Sequence, residues 1–213
     1  MVQMNLINQL LYFVMFASKK YNIDESHGLT HSINVLHYAN ELFEYESVLH
    51  PMIKPHDKMI YVSAALHDMC DKKYIDEKIG IKKIEDFLKL EIPIEETKVI
   101  KDIISTMSYS TVKKNGYPKL NEYQVAYHIV READLLSAYD FDRCIIYNLH
   151  KKNGNINEAF KDSEELFNKR ILKQITDDLY FTSYSKQIAK DLEIKSINKL
   201  NDWKNIVENS IFY

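Results

Sequence analysis

A chain of 213 residues with 28 Lys and Arg against 31 Asp and Glu has neither the basic surplus of a nucleic-acid binder nor the acidic surplus of a disordered tail. Four glycines and four prolines, with 46% hydrophobic residues, weigh against a turn-rich β architecture and favour one helical core. Cys70 and Cys144 form no CxxC and no disulfide framework, which fits a reducing, cytoplasmic setting.

Apolar residues recur at helical spacing along nearly the whole chain. A first helix is expected over 5–20. Its apolar stretch 10–17 is too short to cross a bilayer and no Lys or Arg precedes it, so it reads as a buried face rather than a signal peptide or membrane segment. A second helix is expected over 29–45. Pro51 and Pro55 then break the chain, and Asp57 is placed to cap a third over 57–66. Further helices are expected over 76–90 and 93–107, followed by a polar loop over 108–120 containing Gly116 and Pro118. The strongly apolar span 122–149 reads as one helix bent near Asp134, and helices over 157–180 and 183–207 complete the chain. No repeat or low-complexity linker interrupts it, so the expectation is a single all-α domain over 1–213.

The chemistry concentrates at His67-Asp68, which closes the apolar run 60–66. A carboxylate at the end of a buried helix is costly unless it is paired, capped or bound to a cation. Asp134, between Ala133 and Leu135-Leu136, meets the same objection. With His31 upstream, these four imidazole and carboxylate groups suit one divalent cation. Mn²⁺ is the first choice for mixed nitrogen and oxygen ligation, with Mg²⁺, Co²⁺ and Ni²⁺ open. The other His-Asp pair, His56-Asp57, serves as an internal control, because a helix cap explains its aspartate.

The segments His27-Gly-Leu-Thr-His31, Ala65-Leu-His67-Asp68 and Glu132-Ala-Asp134 resemble, in order, the motifs of the HD-domain metal-dependent phosphohydrolase superfamily. The similarity is closest to small stand-alone members whose first motif reads His-x-x-x-His-x-x-Arg-Val; here Asn34 replaces the arginine. Met107-Ser-Tyr-Ser110 and Asp134-Leu-Leu-Ser-Ala138 resemble the same subgroup. The resemblance covers about 20–150, with the C-terminal helices over 156–208 packed on that core. It implies an HD-domain helical bundle with metal ligands His31, His67, Asp68 and Asp134. Asp71, three residues past Asp68, is implied as general base or water-orienting group, and Asp68 as both ligand and catalytic residue. His27, Lys72 and Lys73 are implied on the substrate side, with Lys113, Lys114 and Arg131 as weaker candidates for phosphate charge. No histidine lies between His67 and His128, which favours a single metal and disfavours oxidative chemistry.

The activity implied is hydrolysis of a phosphorylated small molecule, a nucleotide: a nucleoside triphosphate cleaved to monophosphate and pyrophosphate. A 5′-nucleotidase-type phosphomonoesterase, an inactive metal- or nucleotide-binding module and a metal-free helical interaction protein are the alternatives. No membrane or polymeric nucleic acid is expected as partner. A homodimer is left open, with Ile211-Phe-Tyr213 as a candidate contact.

Overall fold

The computed structural model describes residues 5–209, which form ten α-helices and no strand. They are α1 (Leu6–Tyr21), α2 (Leu29–Leu49), α3 (Asp57–Leu66), α4 (Glu77–Leu88), α5 (Ile94–Thr106), α6 (Tyr109–Asn115), α7 (Gln124–Ser137), α8 (Phe141–Lys151), α9 (Ile156–Lys169) and α10 (Ser183–Asn209). Side-chain caps fix many of the starts, as expected where Asn, Asp or Ser can satisfy free backbone N–H groups. Asn5, Asp76, Ser108, Asp140 and Asn155 each accept a backbone N–H from the first turn of α1, α4, α6, α8 and α9. None of the described helices is long and apolar enough to cross a membrane.

At the centre α2, α3 and α7 pack against one another. Val35, Ala39 and Leu42 of α2, Ile60, Val62 and Leu66 of α3, and Ile129, Val130 and Ala133 of α7 are fully buried there. Helices α1 and α5 cover this trio, α8 and α9 form a pair beside it, and α10 runs across α2, α7, α8 and α9. Gly80 of α4 lies against the turn after α3. A Cβ at this position would stand 2.7 Å from the Cys70 Cα, so the absence of a side chain lets α4 brace the segment that carries His67 and Asp68.

Four boundaries differ from the sequence expectation. The span 122–149 is two helices: Ser137 Oγ bonds the Asp134 carbonyl as α7 ends, and Asp140 caps a new start. The bend expected near Asp134 is therefore a break between Ser137 and Phe141. The expected loop 108–120 contains α6, capped by Ser108 and ended at Gly116, whose φ of 75° suits glycine. Helix α9 stops at Lys169, and a short 3₁₀ turn, further turns and a few residues without regular structure lead to α10. Asp57 is not the cap of α3. His56 holds that position, and Asp57 sits in the first turn accepting the Lys58 N–H at 2.6 Å. The segment Ile211-Phe-Tyr213 lies outside the described residues.

Candidate metal centre

His31 comes from the first turn of α2, His67 and Asp68 from the turn that follows α3, and Asp134 from α7. The central helix trio thus brings together groups separated by up to 103 positions of sequence. His31 Nε2 lies 3.0 Å from His67 Nε2 and 3.4 Å from Asp134 Oδ1. Asp68 Oδ2 is 3.3 Å from both imidazole nitrogens. His31, His67 and Asp134 offer ligand atoms within 4.8 Å of one another, a spacing that can hold a metal ion. The imidazoles are buried, whereas Asp68 and Asp134 keep 16% and 28% of their side chains exposed, which leaves the centre open on one side.

Proton accounting tests whether a cation fits. His67 Nδ1 lies 2.8 Å from the Ala64 carbonyl. A carbonyl only accepts, so Nδ1 carries the hydrogen and the neutral ring turns its Nε2 lone pair inward. His31 Nε2 lies 3.0 Å from Arg143 Nη2; a guanidinium only donates, so this nitrogen also presents a lone pair. With two carboxylate oxygens beside them, four electron-pair donors converge with no hydrogen of their own to share. Such a cluster needs positive charge at its centre, from a proton or a metal ion. The chemistry of the donor set fits a divalent cation.

The titration directions agree. Burial opposes charge on His67, but Asp68, Asp134 and the Ala64 carbonyl outweigh it and raise its pKa to about 9. His31 is driven the other way, by burial and the Arg143 charge. Burial works against the charged forms of Asp68 and Asp134, yet the surrounding His residues hold both carboxyls below their usual range. Without a metal, the proton in the centre therefore resides on His67.

The centre forms part of the wall of a cleft of about 780 Å³. His27, Asp71, Lys72 and Lys73 all line this cleft, although not for the helical reasons expected. Helix α2 begins only at Leu29 and α3 ends at Leu66, so His27 and Asp71 sit in turns rather than on the faces of His31 and Asp68. Asp71 accepts the Lys73 N–H at 2.9 Å, and its Oδ2 lies 3.4 Å from Lys73 Nζ. His27 is tied by Nδ1 to Ser26 Oγ at 2.7 Å and Tyr74 Oη at 3.2 Å, while its Nε2 faces Lys73 Nζ at 3.3 Å. Cys70 also lines the cleft, but burial pushes its thiol up to about 12, so it is no thiolate ligand or nucleophile near neutral pH.

Two expectations are corrected. Arg131 is buried on the opposite side of α7, with Nη1 donating to the Leu179 carbonyl at 2.8 Å and its guanidinium over Tyr117. Lys113 and Lys114 are exposed on α6 and do not line the cleft; Ser108, Tyr109, Ser110 and Thr111 do. Asn34 lines a different groove, beside His37, Glu41 and Lys195. Not singled out by the sequence are Arg143, Tyr147 and Lys151, which line the cleft from successive turns of α8, and Arg170 after α9. Spacing of i, i+4 and i+8 was the available signal for the first three, but it does not say toward which neighbour the stripe faces.

No family model matches the chain, and no curated protein matches it. Among solved structures it is similar to the crystal structure of a Lactobacillus plantarum protein, a Northeast Structural Genomics target. The TM-score is 0.71 at 17% identity, over 99% of this chain and 100% of that one. At that identity the likeness establishes a shared fold alone.

Proposed function

We propose that this chain is an HD-domain metal-dependent phosphohydrolase acting on nucleotides, cleaving a nucleoside triphosphate to monophosphate and pyrophosphate. The observation that carries the reading is the convergence of His31, His67, Asp68 and Asp134 as four electron-pair donors on the wall of a cleft that also carries lysine and arginine side chains. A single divalent cation held there, Mn²⁺ by preference, supplies Lewis acidity toward a phosphoryl oxygen and lowers the pKa of water.

The chain's own residues account for the rest. Asp71 lines the same cleft, where its carboxylate orients the attacking water and accepts its proton. Lys73 stands between Asp71 and His27, and with Lys72 it offsets charge developing on the phosphoryl oxygens. His27, held by Ser26 and Tyr74, keeps that wall in position and contacts the substrate. Tyr109 and Tyr147 add aromatic surface to the cleft, suited to a planar base.

The test is release of phosphate and pyrophosphate from a panel of nucleoside mono-, di- and triphosphates with Mn²⁺ or Mg²⁺, beside Asp68→Ala. Pyrophosphate from triphosphates, lost in the variant, is the expected result. Phosphate from monophosphates alone would make the protein a nucleotidase. Absence of turnover in folded, metal-loaded protein would make it a binding module.

A further inference from the structure

Arg143 occupies an unusual place. Its Nε donates to the Ser26 carbonyl, while Nη2 is 3.0 Å from His31 Nε2, the nitrogen that a metal ion would take. One lone pair cannot serve a guanidinium and a cation together. Arg143 must therefore leave His31 when the centre is loaded, and the bond to Ser26 keeps it at the cleft wall when it does.

Arg170 lines the same cleft. Its guanidinium is 4.2 Å from the Tyr109 ring centroid, and its Nε is buried with no hydrogen-bond partner among the described residues. Both arginines act electrostatically on Asp134. Once a divalent cation neutralises Asp68 and Asp134, the two guanidinium charges at this wall are left without a counter-charge from the centre. Two fixed planar donors of this kind match a phosphate dianion in charge and geometry.

We infer that Arg143 and Arg170 form a phosphate clamp beside the metal centre, with Arg143 held in reserve on His31 until a cation displaces it. The clamp rests on the metal-centre and phosphohydrolase reading, and it assigns the phosphate-binding task to two residues outside the three sequence motifs. It also makes a crossed prediction. Removing Arg143 takes away a competitor for His31 Nε2 and a repulsive charge, so metal affinity holds or rises while phosphate affinity falls.

The experiment is calorimetric titration of the full chain with Mn²⁺, then of the Mn²⁺-loaded protein with inorganic phosphate, for wild type, Arg143→Ala, Arg143→Lys and Arg170→Ala. The expected result is Mn²⁺ binding no weaker in Arg143→Ala, with phosphate affinity lower by ~10-fold or more. Arg170→Ala should also weaken phosphate without weakening Mn²⁺, and Arg143→Lys should recover part of the loss. If Arg143→Ala fails to fold, Arg143→Gln, which keeps a donor for the Ser26 carbonyl, takes its place.

Phosphate affinity within twofold of wild type in folded, loaded Arg143 and Arg170 variants would overturn the clamp. So would Mn²⁺ affinity that falls in parallel with phosphate affinity, since Arg143 would then act only by positioning His31, and so would loaded wild type that binds no phosphate. Arginine-dependent phosphate binding without nucleotide hydrolysis would defeat the hydrolase reading and leave the clamp standing. Hydrolysis with arginine-independent phosphate binding would do the reverse.

Discussion

Glu132 and Asp134 stand two residues apart on the same helix, and their surroundings are opposite in kind. Glu132 is fully buried and accepts three hydrogen bonds, from Phe181 N at 2.6 Å, Thr182 N at 3.0 Å and Thr182 Oγ1 at 2.6 Å. These donors are the backbone and hydroxyl groups leading into α10, so this carboxylate fastens the C-terminal helix to the core. Asp134 faces imidazole nitrogens that have no hydrogen to give it unless His67 is protonated. A satisfied buried carboxylate is architecture; one that meets other electron-pair donors is a site awaiting positive charge.

The sharpest way to break this contrast is a pair of isosteric substitutions. Asp134→Asn should lower Mn²⁺ affinity by at least ~100-fold and abolish the proposed hydrolysis, while metal-free stability moves by no more than ~1 kcal/mol. Glu132→Gln should do the opposite. Its amide nitrogen would face an N–H or hydroxyl donor, costing ~3 kcal/mol in denaturant unfolding with little change in Mn²⁺ affinity. If both substitutions damage stability and leave metal binding intact, the distinction between the two carboxylates collapses.

The pH dependences of the two regions should also diverge. His67 has a folded pKa of about 9, above the ~6.5 of an unfolded histidine. Its contribution to metal-free stability is therefore complete below ~6.5 and lost as pH rises through 9. Metal binding displaces that proton, so Mn²⁺ affinity should rise by ~10-fold per pH unit between about 7 and 9. In the Glu132 region, His128 stacks on Phe181 at 4.3 Å, and burial with the Arg131 charge lowers its pKa to about 4. The unfolded state binds the proton first, so stability should be complete above ~6.5 and fall by ~2 kcal/mol as pH drops toward 4. His128→Phe should flatten that acid limb in urea titrations while leaving the alkaline rise in Mn²⁺ affinity unchanged.

The smallest effect is expected at Lys72, which lines the cleft but is exposed. Lys72→Ala should change stability by less than ~0.5 kcal/mol and, in the proposed nucleotide hydrolysis, raise KM by a few-fold at most. A large loss of kcat would assign it a closer part in the chemistry than its exposure suggests.

Much of the helical framework was legible because its signals are local. The third helix ended at Leu66 as expected and began one residue early, at its expected cap Asp57, and Leu29 was the correct start of α2. The failures were also local, at weak periodicity or unrecognised caps. Ser108 and Asp140 started helices where the reading expected a loop and a continuous helix. Within the site, His67-Asp68 and Asp134 stood out because they end or interrupt apolar runs, and His31 because it heads the first of the three motifs. Arg143 and Arg170 did not, since an arginine on an amphipathic helix or at its end normally faces solvent.

By itself the sequence determined the helical class, the positions of the polar groups that burial would penalise, and the order in which they occur along the chain. Those properties follow from periodicity and from the cost of dehydrating charge, which act residue by residue. Tertiary structure decided which buried charge is satisfied and which is left facing other donors. Arg131 pairs with the Leu179 carbonyl and Glu132 with the start of α10, whereas Asp134 and Arg143 turn toward His31. Hydrogen-bond partners dozens of residues away are set by how helices pack, and no local pattern encodes that direction.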